Sequence, residues 1–393
     1  MAPIDVIIVI LLALGLLSGL RSGFFSAVGT LCGLIAGALV APWVLPAVAG
    51  LAPQGAWRGV VVVGSLILLL ALGAGIGSAI GAAVRRGADR IRLRIPERLA
   101  GGAFGLVTAT LVVSLAGTAI ASAGVPTVSS AVASSTVLRT IERITPDPVD
   151  EAMARARTAV LEDAVLPTIR GQLDEGDLAA APDLETSDLD DPALEAAADS
   201  VARISGLAPE CGSAPSGSGF VVAEDRIVTN AHVVAGVDRP LVELPGQPAR
   251  DGRVVHFDPV DDLAVIAADV DAAPLPITGS MEPGDVGAVQ GYPYGGPFRT
   301  VPAGVVTTGP STVGDIYGDS TSQREVHVLE TDVSPGNSGG PLLTEDGSVA
   351  GVLFAGDEER ADVGYAMTIA ELMPVIAQVD GATEAVETGS CST

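Results

Sequence analysis

The 393-residue chain contains no lysine: all 21 of its basic residues are arginine, set against 47 acidic ones for a formal net charge of −26. Basic charge is scarcest past residue 125, where 13 arginines face 44 acidic residues, about −31, which argues against a nucleic-acid partner. Within the long apolar runs of the first 125 residues no acid or base stands mid-span, so a proton or ion path has no support. The first run also has no basic start, and another follows at once, which excludes a cleaved signal peptide. Cysteines number three, Cys32, Cys211 and Cys391. No cofactor and no metal site is expected. Apolar content is 48% with only 3% aromatic, more than a soluble protein of this size needs, and the length suits two or three domains.

Four apolar runs, roughly 4–20, 24–45, 60–84 and 99–125, are each near or above the ~20 residues that cross a bilayer as a helix. The third connection holds Arg85, Arg86, Arg90, Arg92, Arg94 and Arg98, and the first holds Arg21. By the positive-inside rule these face the cytoplasm, so both termini face outward. Glycines recur every fourth residue in the second and third spans (Gly29, Gly33, Gly37; Gly73, Gly77, Gly81), a smooth strip that permits close helix packing. Cys32 reads as a small packing residue.

Residues 126–205 read as a connection. Val137, Leu138, Ile141 and Ile144, then Val160, Leu161, Ala164 and Val165, recur at helical spacing and predict short amphipathic helices. The acidic stretch from Asp174 to Asp199 reads as a flexible tether, with self-cleavage in the linker as an alternative role. From Gly206 onward short β-branched runs alternate with Gly, Pro and Asp turns, which predicts an all-β barrel or sandwich.

Three blocks in this last region carry chemistry. In Gly336-Asn337-Ser338-Gly339-Gly340-Pro341, a serine between glycines can expose its hydroxyl on a tight turn, with the Gly336 and Ser338 amides aimed as an oxyanion hole. Thr229-Asn230-Ala231-His232 supplies a base whose ordinary pKa lies near neutrality. Asp258, Asp261 and Asp262 lie in the third block. Asp262, just before the apolar run 263–266, is preferred as the carboxylate that orients His232, with Asp261 next. A satisfied core histidine is the plain alternative for His232, and His256 and His327 read as strand residues.

These blocks, in the order His, Asp, Ser, resemble the trypsin-like serine proteases, with the compact spacing of the bacterial HtrA-type branch. The resemblance covers roughly 206–380 and implies an all-β chymotrypsin-like double β-barrel with its site between the barrels. It implies catalytic roles for His232, Asp262 and Ser338. It also implies an edge at Gly351, Val352, Leu353 and Phe354 for an extended peptide. Asp332, six residues before Ser338, is a candidate for the base of a pocket favouring Arg or Lys. Cys211 and Cys391 bracket the region and would close a disulfide in an oxidising compartment; the alternative is two free thiols. No PDZ-like segment follows, so the trimers and PDZ behaviour of HtrA enzymes are not carried over.

The four-span segment is similar to the CvpA (colicin V production) membrane domain. The combination resembles the actinobacterial MarP family of membrane-anchored serine proteases. The expected chain is therefore an all-α transmembrane four-helix domain (1–125), a linker (126–205) and an extracytoplasmic protease domain (206–393). That resemblance implies protein substrates in the cell envelope and a role in acid or oxidative stress. Two other readings are a pseudoprotease that binds peptide without cutting, and a transport or secretion bundle with a regulatory outer domain.

Overall fold

A computed structural model describes residues 3–51, 56–88, 94–122, 132–155 apart from 133, 147 and 151, 166–169, 182, 184, 189, and 191–392 apart from 209, 210, 212, 380 and 381. Val160, Leu161, Ala164 and Val165, Arg90 and Arg92, and most of the acidic stretch lie outside the described residues. The chain divides into two compact units, Met1–Ile120 with Ser135–Thr145, and Ala121–Ser134 with Pro146–Thr393.

The first unit holds α1 (Pro3–Ser22), α2 (Phe24–Leu51), α3 (Ala56–Ala88) and α4 (Arg94–Ser122). All four are long and apolar enough to cross a membrane. A lipid-like surround offers no hydrophobic gain for joining helices, so contact must come from close fit. The glycine strips supply it. A Cβ on Gly33 of α2 would lie 2.0 Å from the Gly73 carbonyl oxygen of α3, and one on Gly77 would lie 1.9 Å from that of Gly29. The same device joins α1 to α4, where a Cβ on Gly19 would lie 2.1 Å from the Gly101 oxygen. At one end Arg85 donates to the Ser22 carbonyl at 2.9 Å and pairs with Glu97 at 3.0 Å, tying α1, α3 and α4. Cys32 is exposed on α2, so it is not the interior packing residue its apolar surroundings suggested.

A short helix α5 (Thr136–Ile144) completes this unit, as its apolar spacing predicts. Ser135 caps it by accepting from the Leu138 amide at 3.2 Å, and donates in turn to Asp5 Oδ1 at 2.7 Å. Asp5, buried at the start of α1, is thereby tied to the start of α5.

The second unit is β-rich. After the two-residue strand β1 (Thr168–Ile169) and helix α6 (Pro192–Ala198) come β2 (Val201–Ser205), β3 (Ser216–Ala223), β4 (Arg226–Thr229), the short helix α7 (Ala231–Val234), β5 (Leu241–Glu243), β6 (Arg250–Asp251), β7 (Arg253–Asp258) and β8 (Leu263–Ala267). Strands β2 to β8 form one sheet in the order β6-β5-β2-β3-β4-β8-β7. β6 and β7 stand at opposite edges yet are separated in the chain by Gly252 alone, so the sheet curls until its edges meet. The second sheet uses β9 (Val286–Gly291), β10 (Arg299–Gly314), β11 (Thr321–Glu330), β12 (Pro341–Leu343), β13 (Val349–Asp357) and β14 (Val363–Thr368). Its order is β1-β13-β12-β9-β10-β11-β14, and a further β13–β14 ladder closes it. Helix α8 (Ile369–Val379) follows.

The apolar runs have a physical explanation in the two-sided burial of these strands. Val221, Ile227, Ala264 and Ile266 fill the first barrel, while their neighbours Phe220, Val228, Leu263 and Val265 join a core that also takes Val326, Val328, Val352 and Phe354 from the second. Leu329, Leu353 and Ala366 fill the second barrel. Alternate side chains thus serve a barrel interior and a shared layer between barrels.

One boundary is corrected. Residues 192–205 belong to the protease unit rather than to a linker. β2 lies between β5 and β3, and Leu194 and Ala197 of α6 are buried in the shared core. The arginine within β2, Arg203, disguised it; it pairs with Glu243 of β5.

The chain end crosses back to the first barrel. The Val386 amide donates to the Val254 carbonyl at 2.9 Å, and the Gly236 amide to that of Thr388 at 3.1 Å. Cys211 and Cys391 form the disulfide, with Cα atoms 5.5 Å apart and a sequence separation of 180.

Candidate active site

His232 sits on α7, directly after β4, and is 7% exposed. Asp262 ends the turn between β7 and β8 in a left-handed conformation, φ +54°, uncommon for a non-glycine residue though aspartate adopts it more readily than most. Its carboxylate grips His232 twice. Oδ1 accepts from the His232 backbone amide at 2.9 Å, and Nδ1 of the ring lies 2.8 Å from Oδ2. Asn230 donates from Nδ2 to the Asp262 carbonyl at 2.8 Å. Of the three aspartates in this turn, Asp262 alone meets the histidine among the described contacts. Asp258 accepts from the amides of Val260 and Asp261 and so shapes the turn. Burial, reinforced by Asp258, raises the Asp261 carboxyl above its ordinary range, with Arg324 opposing both.

Ser338 is 2% exposed. Its Oγ and the Nε2 of His232 are both buried, and neither has a hydrogen-bond partner among the described residues. The two do not bond to each other, and Asn230 Oδ1, His256 Nε2, Gln290 Oε1 and Asn337 Oδ1 are left likewise, so it is the Asp262–His232 pairing rather than an unpaired atom that marks the site.

The loop carrying Ser338 is clamped from β3. The Ser218 amide donates to the Ser338 carbonyl at 2.8 Å, and Ser218 Oγ donates to the Gly336 carbonyl at 2.7 Å while accepting from the Tyr292 amide at 2.9 Å. Tyr294, itself at φ +57°, donates its amide to the Pro335 carbonyl at 2.5 Å. In a trans peptide the carbonyl and the next N–H point opposite ways, so this bond turns the Gly336 N–H away from Tyr294. Gly336 has φ +97°, and a Cβ there would lie 2.5 Å from the Tyr292 oxygen. Ser218 and Tyr294 escaped the sequence reading. The signals were present, in the small residues flanking Ser218 and in Tyr292-Pro293-Tyr294-Gly295-Gly296, but each is an ordinary turn or strand until its partner is known.

Two expectations about substrate contact are corrected. Gly351, Val352 and Leu353 offer no open edge, because β12 and β14 pair with them and the Leu353 amide and carbonyl bond to Gly340 and Gly339. Phe354 lies past the β12 pairing. Beyond it the edge is taken by the linker: the Gly356 amide donates to the Pro167 carbonyl at 3.0 Å and the Glu358 amide to that of Ile169 at 3.2 Å. Asp332 is exposed, unlike a carboxylate sealed at the base of a pocket. His256 and His327 lie on β7 and β11, as expected; burial lowers the His327 pKa, and its Nδ1 pairs with Thr308 Oγ1 at 2.8 Å. Among the described residues no cluster of His, Cys, Asp and Glu could hold a metal ion.

Known proteins match both units. The trypsin-like peptidase domain family matches residues 217–352, and the colicin V production protein family matches residues 4–146. Serine protease Rv3671c of Mycobacterium tuberculosis is 33% identical over 315 residues, covering 78% of each chain. The chain belongs to the MarP family of serine proteases. As in that family, a CvpA-like helical region precedes a chymotrypsin-like protease domain. The crystal structure of the active form of the Rv3671c protease aligns with a TM-score of 0.51 at 34% identity, covering 58% of this chain and 96% of that one. The putative serine protease HhoA of Synechocystis is 34% identical over 169 residues, 40% of this chain and 41% of its own length. This MarP-family chain is accordingly a serine endopeptidase with four candidate membrane spans.

Proposed function

We propose that this membrane-anchored endopeptidase cuts proteins of the cell envelope with His232, Asp262 and Ser338 as its triad, on the outer side of the membrane. Ser338 Oγ attacks the scissile carbonyl as His232 Nε2 takes its proton. Asp262, already bonded to Nδ1, fixes the tautomer and stabilises the imidazolium. The amides of Gly336 and Ser338 receive the negative oxygen, where one donor typically contributes ~3 kcal/mol to the transition state. His232 then protonates the leaving amine, and water repeats the sequence on the acyl-enzyme. The observation that carries this reading is the pairing of Asp262 with His232.

The outward placement rests on the arginines around the third connection and on a disulfide of a kind that persists in oxidising compartments. The acid- or oxidative-stress setting rests on the MarP resemblance. A membrane-impermeant fluorophosphonate applied to intact cells tests enzyme and side together. Wild type is expected to label and Ser338→Ala not to. Labelling that requires lysis would overturn the outward placement, and a folded wild type that never labels would overturn the triad.

A further inference from the structure

Arg324 is a large cation in an unexpected place. It stands on β11 in the second barrel and is 1% exposed. Its Nη2 donates to the Val260 carbonyl and, at 3.0 Å, to that of Gly314. Nε donates to Ser322 Oγ at 3.2 Å and lies 3.9 Å from Asp261 Oδ1, and the guanidinium stacks over Phe354 with 5.7 Å to the ring centre. Burying a guanidinium is costly, and an apolar side chain would fill this space without that penalty. Burial lowers its pKa; the carboxylates oppose this, Asp262 most strongly.

Val260 is two residues from Asp262. Its turn, in the first barrel, is held from the second by a set of contacts. The Ile316 amide donates to the Pro259 carbonyl at 3.1 Å, and Ile316 and Tyr317, in the connection between β10 and β11, pack in the first barrel's own core. Consecutive carbonyls just before the left-handed Asp262 are therefore fixed by the other barrel.

We infer that Arg324 is a positioning residue for the reaction: it sets the Val260 carbonyl, and with it the orientation of the Asp262 carboxylate on His232, so that one barrel aligns the other's half of the triad. The inference rests on the triad reading above.

The test uses the full chain in detergent with the disulfide intact. Arg324→Met keeps an unbranched stem as far as the Nε position but loses the guanidinium, its contact with Phe354 and every donor; Arg324→Lys keeps the charge and a single donor atom. Active sites are titrated with fluorophosphonate, and kcat and KM are read per titrated site on a peptide substrate. Arg324→Met is expected to lower kcat about 10- to 100-fold with KM within about twofold, and Arg324→Lys to recover part of it. Against an Asp262→Asn background Arg324→Met should cost nothing further, because its route is already cut. A lower melting temperature with wild-type kcat per titrated site would make Arg324 a plain core residue and overturn the inference. Additive losses in the double variant would overturn it too. If Arg324→Met does not fold, Arg324→Gln, whose shorter amide stands where Nε does and so keeps the bond to Ser322 but loses those to Val260 and Gly314, carries the same readings. An Asp262→Asn variant with undiminished kcat would remove the triad reading itself.

Discussion

The membrane unit and the protease unit are held together by opposite means. In the first, backbone meets backbone: Gly29, Gly33, Gly73 and Gly77 bring α2 and α3 so close that even a methyl group has no room. In the second, side chains of both barrels alternate between a barrel interior and a shared layer. Lipid removes the hydrophobic incentive to bury large side chains, so small ones make the contact; water restores it, and bulk fills the core. Polar chemistry follows the same division. Several strongly buried polar groups of the protease unit, Asp262, Asn230 and Ser218 among them, gather around the site, whereas the spans carry no charge at mid-helix.

The largest effect that would sharpen this contrast is chemical. Ser338→Ala should lower kcat by about a million-fold, on the scale seen when a triad is broken, while the melting temperature stays within a few degrees of wild type. Peptide turnover and calorimetry on one preparation check both. Next comes the disulfide. Reducing Cys211–Cys391 releases a loop closed over a sequence separation of 180, which in the chain-entropy model costs up to about 5 kcal/mol. Denaturant titration in detergent should show that loss in the protease transition and leave the helical one in place; a loss in the helical transition would break the comparison.

Smaller still, Gly33→Leu should separate α2 from α3 at a cost of about 1–3 kcal/mol, since the obstacle is the Gly73 carbonyl rather than a side chain that can turn away. Thermal unfolding should fall for the helical unit, with kcat per titrated site unchanged. The least effect concerns pH. His327 is buried with a lowered pKa, so the unfolded chain takes up its proton first as pH falls. That contribution is complete above the ordinary histidine value and is lost as pH drops from there toward the lowered one. His327→Gln should therefore lose less stability than wild type between pH 7 and pH 5, by a few degrees of melting temperature at most.

The sequence exposed what was local. Gly336 to Pro341, the Asn230-Ala231-His232 string and the apolar run after Asp262 are each contiguous, and the glycine strips of α2 and α3 announce themselves by a four-residue repeat. Gly15, Gly19, Gly101 and Gly105 carry the same repeat and join α1 to α4. Their signal was legible but shorter. What stayed hidden depends on distant partners. Ser218 meets Gly336 118 residues away and Arg324 meets Val260 64 residues away, and neither shows that partner in its neighbours. The start of the protease unit was misplaced because α6 follows an acidic, alanine-rich stretch whose composition resembles a tether. The β13 edge was misjudged because a strand's free side depends on which strands flank it, which local pattern does not reveal.

The central claim is that Asp262 holds His232 ready for Ser338 in one site, and the rate at which a fluorophosphonate labels Ser338 tests it most directly. The reagent reports nucleophilicity independently of any substrate preference. Asp262→Asn should slow labelling by at least about a thousand-fold and Asp261→Asn by less than about threefold. Equal rates for Asp262→Asn and wild type, or a large loss on replacing Asp261 instead, would contradict the account.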